Sequence, residues 1–399
     1  MWSPPIARVT GRGFSDTGPS REHNEDAFLA DPALGLYAVS DGMGGHEGGE
    51  VASAMVLAGL REAVANAPAL EGLEEPSVTR RGEVLAWLGR VVSAQSAEVF
   101  AAAKADRALW GMGCTLDVAL VRGGGVYLAH VGDSRMYAQR DGKLLRLTED
   151  HTYGHELLSE GATPEQVARH PQRAALTRAV GRSPKVQVDT AFLELQEGDQ
   201  LLLCSDGLYA ALDEAQLIEG LKRPNAAEAL VRAALAGGPD DNLTAVVITV
   251  EALHNLRPAL IGAEATLSAL GRSRLFAGLS AGELLRLQRV AVGRHAEPGE
   301  VILPQEESVD GLFVVLSGEV NVDRDGEIVA RLGPGDPFGE HALVEGVSDV
   351  GVVAASASDL LCFPTAALQS LLGADPHIAS RLALNALRRA LERPAARGD

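Results

Sequence analysis

Five short stretches place acids where the chain turns. "REHNEDAF" carries Glu25 and Asp26, "SDGMGG" Asp41, "VGDSR" Asp133, "CSDG" Asp206, and "GPDDNLT" Asp240 and Asp241. Two of these acids directly follow apolar, strand-like runs, "LYAVS" before Asp41 and "LLLCS" before Asp206. A lone Asp-Gly is ordinarily a polar turn, because both residues favour turn geometry. An acid at the end of a buried strand is costly unless something cationic receives it. If the acids converge, like charges about 4 Å apart repel by ~4 kcal/mol per pair at an effective dielectric near 20. Divalent cations remove that repulsion, and hard oxygen ligands suit Mg²⁺ or Mn²⁺, with water completing the octahedra. The glycine after each aspartate lets backbone come close, and the Gly42 carbonyl offers a further ligand oxygen. Spacing alone leaves the turn reading and the metal reading both open.

The elements that must position these acids follow from periodicity. "LGLYAVS", "CTLDVALV" and "GVYLAHVG" read as strands. Between the first two lie helical stretches with apolar spacing through Val51, Met55 and Ala58 and through Leu85, Leu88, Val92 and Val99. The charged, Pro-containing "EGLEEPSVTRRGE" reads as the linker between them. After Gly142 comes a polar, partly helical stretch rich in His and Arg. Two further strands, "TAFLELQEGDQLLLCS" and "LTAVVITVEAL", then flank the helices "DEAQLIEGLKR" and "AAEALVRAALAGG". The order is not a strict βαβ alternation, which favours antiparallel sheet with packed helices, an α+β architecture. Near "HNLRPALIGAEA" the β pattern lapses, so residues 256–271 are expected to link a domain over 1–255 to another over 272–399. The remainder opens with the helix "SAGELLRLQRV". Short glycine-punctuated strands follow, suggesting a small β-roll or jelly roll, and the chain ends in the helix "SRLALNALRRALER".

Composition excludes some partners. The chain of 399 residues has a formal net charge of −19, which disfavours nucleic acid and anionic membrane. Cys114, Cys204 and Cys362 are widely spaced and read as buried apolar residues of a reducing compartment. The N-terminal "MWSPPIARVTGRG" has no apolar signal core. The longest apolar stretch, "GVVAASASDLLCFPTAALQSLL", carries Asp359 and Pro364 in its middle and reads as strand, turn and helix rather than a span. The expected setting is cytoplasmic.

The motifs "REHNED", "SDGMGGH", "GDSR", "LTEDHT", "LTRAVG", "CSDG" and "GGPDDN" resemble, in order and spacing, the metal-dependent serine/threonine protein phosphatases of type 2C, in a bacterial variety. The resemblance covers residues 1–255. It implies a four-layer α-β-β-α sandwich: two antiparallel sheets packed face to face, with helix pairs outside. It implies that Asp41 bridges two Mn²⁺ or Mg²⁺ ions about 3.5–4 Å apart. Asp206 and Asp241 would complete one ion; the Gly42 carbonyl with Glu25 and Asp26 would serve the other, directly or through water. Asp133 sits where bacterial relatives hold a third, weaker ion. Arg21 matches the position that clamps phosphate oxygens, a task suited to a planar guanidinium. No covalent phospho-enzyme is implied, so Cys204 reads as a strand residue, not a nucleophile. Animal members resemble "DGHGG" at the first turn, and here that histidine is Met43. His46 reads as structural, and the general acid stays unassigned. Of the paired acids, Asp241 is favoured over Asp240 because it directly precedes Asn242. Thr148 to Gly181 corresponds to the family's flap.

The second domain, through "PGEVILPQ", "LFVVLSGEVNV" and "LGPGDPFGEHALV", resembles the cyclic-nucleotide-binding fold over about residues 272–395. That resemblance gives Glu340 the ribose hydroxyl. An arginine is expected nine residues on, and Asp349 stands there instead, so cyclic nucleotide is not expected to bind. Arg331, on a neighbouring strand, is the alternative cation for that role. The expected function is hydrolysis of phosphoserine and phosphothreonine on proteins that are substrates of a serine/threonine kinase, with a degenerate regulatory module. Two other readings stay open: a catalytically weak phosphoprotein-binding adaptor, and a phosphatase switched by cyclic nucleotide.

Overall fold

The computed structural model describes residues 7–44, 48–70, 78–122, 124–253, 269–306, 309, 311–343 and 346–392. The chain divides into two compact units, Met1–Leu256 and Arg257–Asp399. His46 and residues 71–77 and 254–268, the last holding most of the expected linker, lie outside the described residues.

The first unit contains strands β1 (Ala7–Asp16), β2 (Asp26–Asp31), β3 (Leu36–Met43), β4 (Gly113–Cys114), β5 (Leu116–Arg122), β6 (Gly125–Val131), β7 (Arg135–Arg140), β8 (Lys143–Arg146), β9 (Asp189–Glu194), β10 (Gln200–Cys204) and β11 (Leu243–Leu253). They form two sheets, ordered β2-β3-β5-β6-β9 and β1-β11-β10-β7-β8, with every pairing antiparallel and β4 added beside β3. Helices α1 (Gly48–Ala65) and α2 (Val78–Ala105) pack on the first sheet. Helices α5 (Asp206–Ala211), α6 (Glu214–Leu221) and α7 (Ala226–Leu235) pack on the second. The flap carries α3 (Tyr153–Ser159) and α4 (Pro164–Ala168). The four layers are α-β-β-α.

Alternation explains the long apolar runs. Leu36 and Ala38 face the α1–α2 core, while Tyr37 and Val39, alternating with them, are equally buried on the other face. A strand covered on both faces is apolar at every position.

The structure corrects three expectations. "TAFLELQEGDQLLLCS" is not one strand: β9 and β10 lie in different sheets, separated by a turn at Gly198, whose φ is 90°. Asp199 fixes that turn, accepting from Gln196 N–H at 2.7 Å and gripped by both ends of Arg140 at 2.6 and 2.7 Å. The linker before α2 is shorter than expected, since the helix already runs from Val78. The described end of the 256–271 segment is not a loose connection either. Residues 269–272 are helical, and Ala269 and Leu270 are fully buried in the second unit's core.

The second unit is a β-roll of two four-stranded sheets. One orders β12 (Val292–Ala296), β19 (Ser358–Pro364), β14 (Gly311–Ser317) and β17 (Pro337–Phe338). The other orders β13 (Val301–Leu303), β18 (Gly351–Ala354), β15 (Val320–Arg324) and β16 (Glu327–Leu332). Its helices are α8 (Ala281–Val290), opened by a Ser280–Glu283 capping box, α9 (Thr365–Ala374) and α10 (Pro376–Glu392). Among the described residues no helix is long and apolar enough to cross a membrane.

Candidate functional site

Asp41 lies in the last three residues of β3 and is fixed through its backbone. Its N–H donates to the Thr115 hydroxyl at 2.9 Å, and its carbonyl accepts from Thr115 N–H at 2.8 Å. Ser40 donates to the Thr115 carbonyl, and Ser134 shares a 2.7 Å hydrogen bond with the Thr115 hydroxyl. A Cβ on Gly42 would stand 2.1 Å from the Gly49 carbonyl oxygen and 2.6 Å from that of Glu25. Asp206 opens α5 after β10, and a Cβ on Gly207 would stand 2.2 Å from the Asn242 carbonyl oxygen. Neither glycine has a left-handed φ. Both Ser-Asp-Gly turns need glycine because backbone packs directly on backbone there.

The remaining acids arrive on loops tied across long sequence distances. Asn242 donates to the carbonyls of Thr17 and His23, and its side-chain oxygen accepts from Glu25 N–H at 2.8 Å. This one amide joins the arginine loop to the Asp241 turn. Asp133 follows β6; its carbonyl accepts from the Tyr209 hydroxyl at 2.9 Å. Arg135 grips Asp150 bidentately at 3.0 and 2.7 Å and lies 3.6 Å over the Tyr209 ring. The "GDSR" and "LTEDHT" motifs therefore meet through this ion pair and through Gly132, whose N–H donates to His151 Nδ1 at 3.1 Å and whose carbonyl accepts from His151 N–H at 2.7 Å.

Arg21, Glu25, Asp41, Gly42, Asp133, Asp206 and Asp241 all line one cleft of about 700 Å³. Asp26 does not line it. That residue is 8% exposed, its Oδ2 accepts from Ser205 at 2.6 Å, and its Oδ1 has no partner. Asp240 also stays off the lining and offers its carbonyl to Arg21 Nε at 3.1 Å, while Asp241 takes Arg21 Nη2 at 2.7 Å. Met43 lines the cleft without any titratable proton.

Crowding shows in the acids' proton affinities. Burial, then the charges of Asp26 and Asp206, hold Asp41 well above the ordinary carboxylate range. Burial pushes Asp26 and Asp133 up to about 7. It raises Glu25 and Asp206 as well, with Asp241 adding repulsion to both. Asp41 and Asp206 sit close enough for the charge of Asp206 to raise Asp41, so the pair holds on to a proton unless a cation takes its place. Asp206 Oδ1 is buried with no hydrogen-bond partner. Among the described residues no three acids, histidines or cysteines close on one point as a ready-made cage. The acids line an open cleft instead, which suits ions that keep several water ligands. These residues fit divalent cations.

Sequence reading missed the buried ion pair behind the cleft. His130 Nδ1 meets Asp117 Oδ1 at 2.5 Å, and Nε2 donates to the Glu149 carbonyl at 2.8 Å. The signal was an acid inside the apolar run "TLDVALV". The expected strand role of Cys204 agrees with its place in β10, fully buried with its thiol pushed upward by burial.

In the second unit Glu340 opens a short helical turn, and its carboxylate takes Arg389 Nε of α10 at 3.3 Å. Asp349 is exposed and paired with Arg324 at 2.6 Å. Arg331 is exposed on β16.

Comparison with known proteins agrees with both units. The family model described as Protein phosphatase 2C matches residues 19–236, and that of the Cyclic nucleotide-binding domain matches residues 293–375. The serine/threonine protein phosphatase PstP of Mycobacterium tuberculosis is 40% identical over 59% of this chain, which spans 44% of that protein's length. The serine/threonine phosphatase stp of Listeria innocua is 36% identical over 61% of this chain and 97% of its own length. A crystal structure of the PstP catalytic domain in complex with 2 manganese ions superposes with a TM-score of 0.52 at 36% identity, covering 61% of this chain and 99% of that one. With its matched span exceeding half its length and the acids gathered in one cleft, this chain belongs to the protein phosphatase 2C family.

Proposed function

We propose that the first unit hydrolyses phosphoserine and phosphothreonine in proteins, dependent on two divalent ions, Mn²⁺ or Mg²⁺, with a third and weaker position at Asp133. The observation that carries this is the convergence of Asp41, Asp206 and Asp241 on one cleft with Arg21 at its edge. Asp41 would serve both main ions, Asp206 and Asp241 one of them, and Glu25 and the Gly42 carbonyl the other. Asp26 would act from behind, its free oxygen within the same field of charge. Bound there, the ions supply positive charge against the phosphoryl oxygens and acidify water. Arg21 is held by Asp241 and the Asp240 carbonyl through Nη2 and Nε, which leaves Nη1 to a phosphate oxygen. That grip orients the ester for in-line displacement. Met43 cannot supply the leaving alkoxide with a proton, and water held at the ions would be the donor instead.

The second unit keeps the nucleotide-binding fold without its chemistry. Glu340 is engaged by Arg389, and the position expected to hold the phosphate-binding arginine holds Asp349, exposed and paired with Arg324. It acts as a regulatory or docking module that does not answer to cyclic nucleotide.

The test is phosphate release from a phosphopeptide with Mn²⁺. The expected result is chelator-sensitive turnover that falls at least about a hundredfold in Asp206→Asn and is unchanged by micromolar cyclic AMP or cyclic GMP. Tight metal binding without release would leave the adaptor reading standing in its place.

A further inference from the structure

One rim of the cleft carries recognition chemistry that hydrolysis itself does not require. Trp110 ends a short helical turn that Asp106 caps from Ala108 N–H, and its own N–H donates to the Arg107 carbonyl at 3.3 Å. Its ring is 82% exposed, although the turn is anchored by fully buried Met112. The intervening Gly111 lines the cleft with φ at 79°, and its carbonyl accepts from Arg182 Nη1 at 2.8 Å. Arg182 lines the cleft too, its stem lying across Gly113, where a Cβ would stand 3.1 Å from Cγ and Cδ. A glycine on each side of Met112 thus lets the arginine lie flat along the turn that presents the tryptophan.

We propose that Trp110 and Arg182 read the residues flanking the phosphorylated side chain, favouring a substrate with an acidic residue beside a proline or aliphatic one. This rests on the phosphatase reading. Arg182 uses one N–H on Gly111, and its remaining donors form a fork that matches a carboxylate. Trp110 offers a rigid aromatic face that stacks on an apolar side chain at little entropic cost. Against the chain's formal charge of −19, which repels an acidic segment at long range, Arg182 supplies the short-range attraction that fixes a carboxylate at the rim.

The experiment uses the full chain with Mn²⁺ and phosphopeptides identical except for one flanking Glu exchanged for Gln, or one Pro exchanged for Gly, at each position near the phosphoserine. The wild type should prefer the Glu peptide about threefold to fivefold in kcat/KM, chiefly through KM, as expected for an exposed ion pair. Arg182→Ala should bring that ratio to one, Arg182→Lys should restore part of it, and Trp110→Ala should remove the Pro preference. Arg169→Ala, an exposed flap residue off the cleft lining, should keep both ratios. Ratios in Arg182→Ala and Trp110→Ala equal to wild type would overturn the inference while leaving hydrolysis intact. Absence of release from every peptide would instead sink the phosphatase reading, and this one with it.

Discussion

Two glycines show how tightly the acids are set. Gly49, in the first turn of α1, faces Glu25: a Cβ there would stand 2.6 Å from the Glu25 carboxyl carbon and from Oε1, and 2.9 Å from the Gly42 carbonyl carbon. Contacts below 3.0 Å force a shift, and the atoms that must move are a carboxylate proposed as a ligand and the backbone carrying a ligand carbonyl. Gly49→Ala should therefore act on metal binding before it acts on the fold. Displaced supporting groups commonly cost 10- to 100-fold in metal affinity, so about tenfold weaker Mn²⁺ activation is expected. Calorimetric titration with Mn²⁺ checks it, and an unchanged affinity would mean Glu25 takes no part.

At the scale of elements, the site was more legible than the frame that holds it. Asp41, Asp206 and their glycines stood out because an apolar run ending in Ser-Asp-Gly is unusual chemistry for a strand end. The strands β1 and β2 were not visible: "ARVTGRGFSD" has polar and glycine residues at positions where β11 supplies the apolar face. Gly11 and Gly13 are there because Tyr37 and Phe28 lie against them, with a Cβ standing 2.0 and 2.2 Å from their rings. Such cross-sheet contacts leave no periodic signal. The Asp117–His130 pair was hidden for a related reason, since β5 and β6 each supply half of it. The His130 Nε2 proton is committed to the Glu149 carbonyl, so one further proton is shared between Nδ1 and Asp117. Asp117 is fully buried and His130 3% exposed. Removing one partner strands the other: His130→Leu should cost about 3–5 kcal/mol, and Asp117→Val with His130→Leu should recover most of it. Denaturant unfolding of the single and double variants tests this; additive losses would show that the pair is not coupled.

For the whole molecule the acids give stability a sign with pH. Asp26 and Asp133 sit near 7 in the folded chain, and Asp41, Asp206 and Glu25 are raised too, against about 4 unfolded. A raised folded pKa means the native state holds protons that the unfolded chain has released. The contribution to stability is full below the unfolded value and is lost as pH climbs through the folded one. His151 works the other way: burial holds it down at about 4, so acidification below its ordinary range favours unfolding. Five raised acids outweigh one depressed histidine. With chelator present, the first unit's melting temperature should rise as pH falls from about 7.5 to about 5.5. Manganese reverses the order, because the ions bind the ionised acids and compete with protons. At about a hundred times its dissociation constant, Mn²⁺ adds ~2.7 kcal/mol to the folded state at neutral pH, several degrees of melting temperature. The second unit has its own core and none of these acids, so a calorimetric transition belonging to it should not move with the metal. A chelated protein that instead loses stability steadily on acidification would show that the carboxylates do not crowd one another in solution.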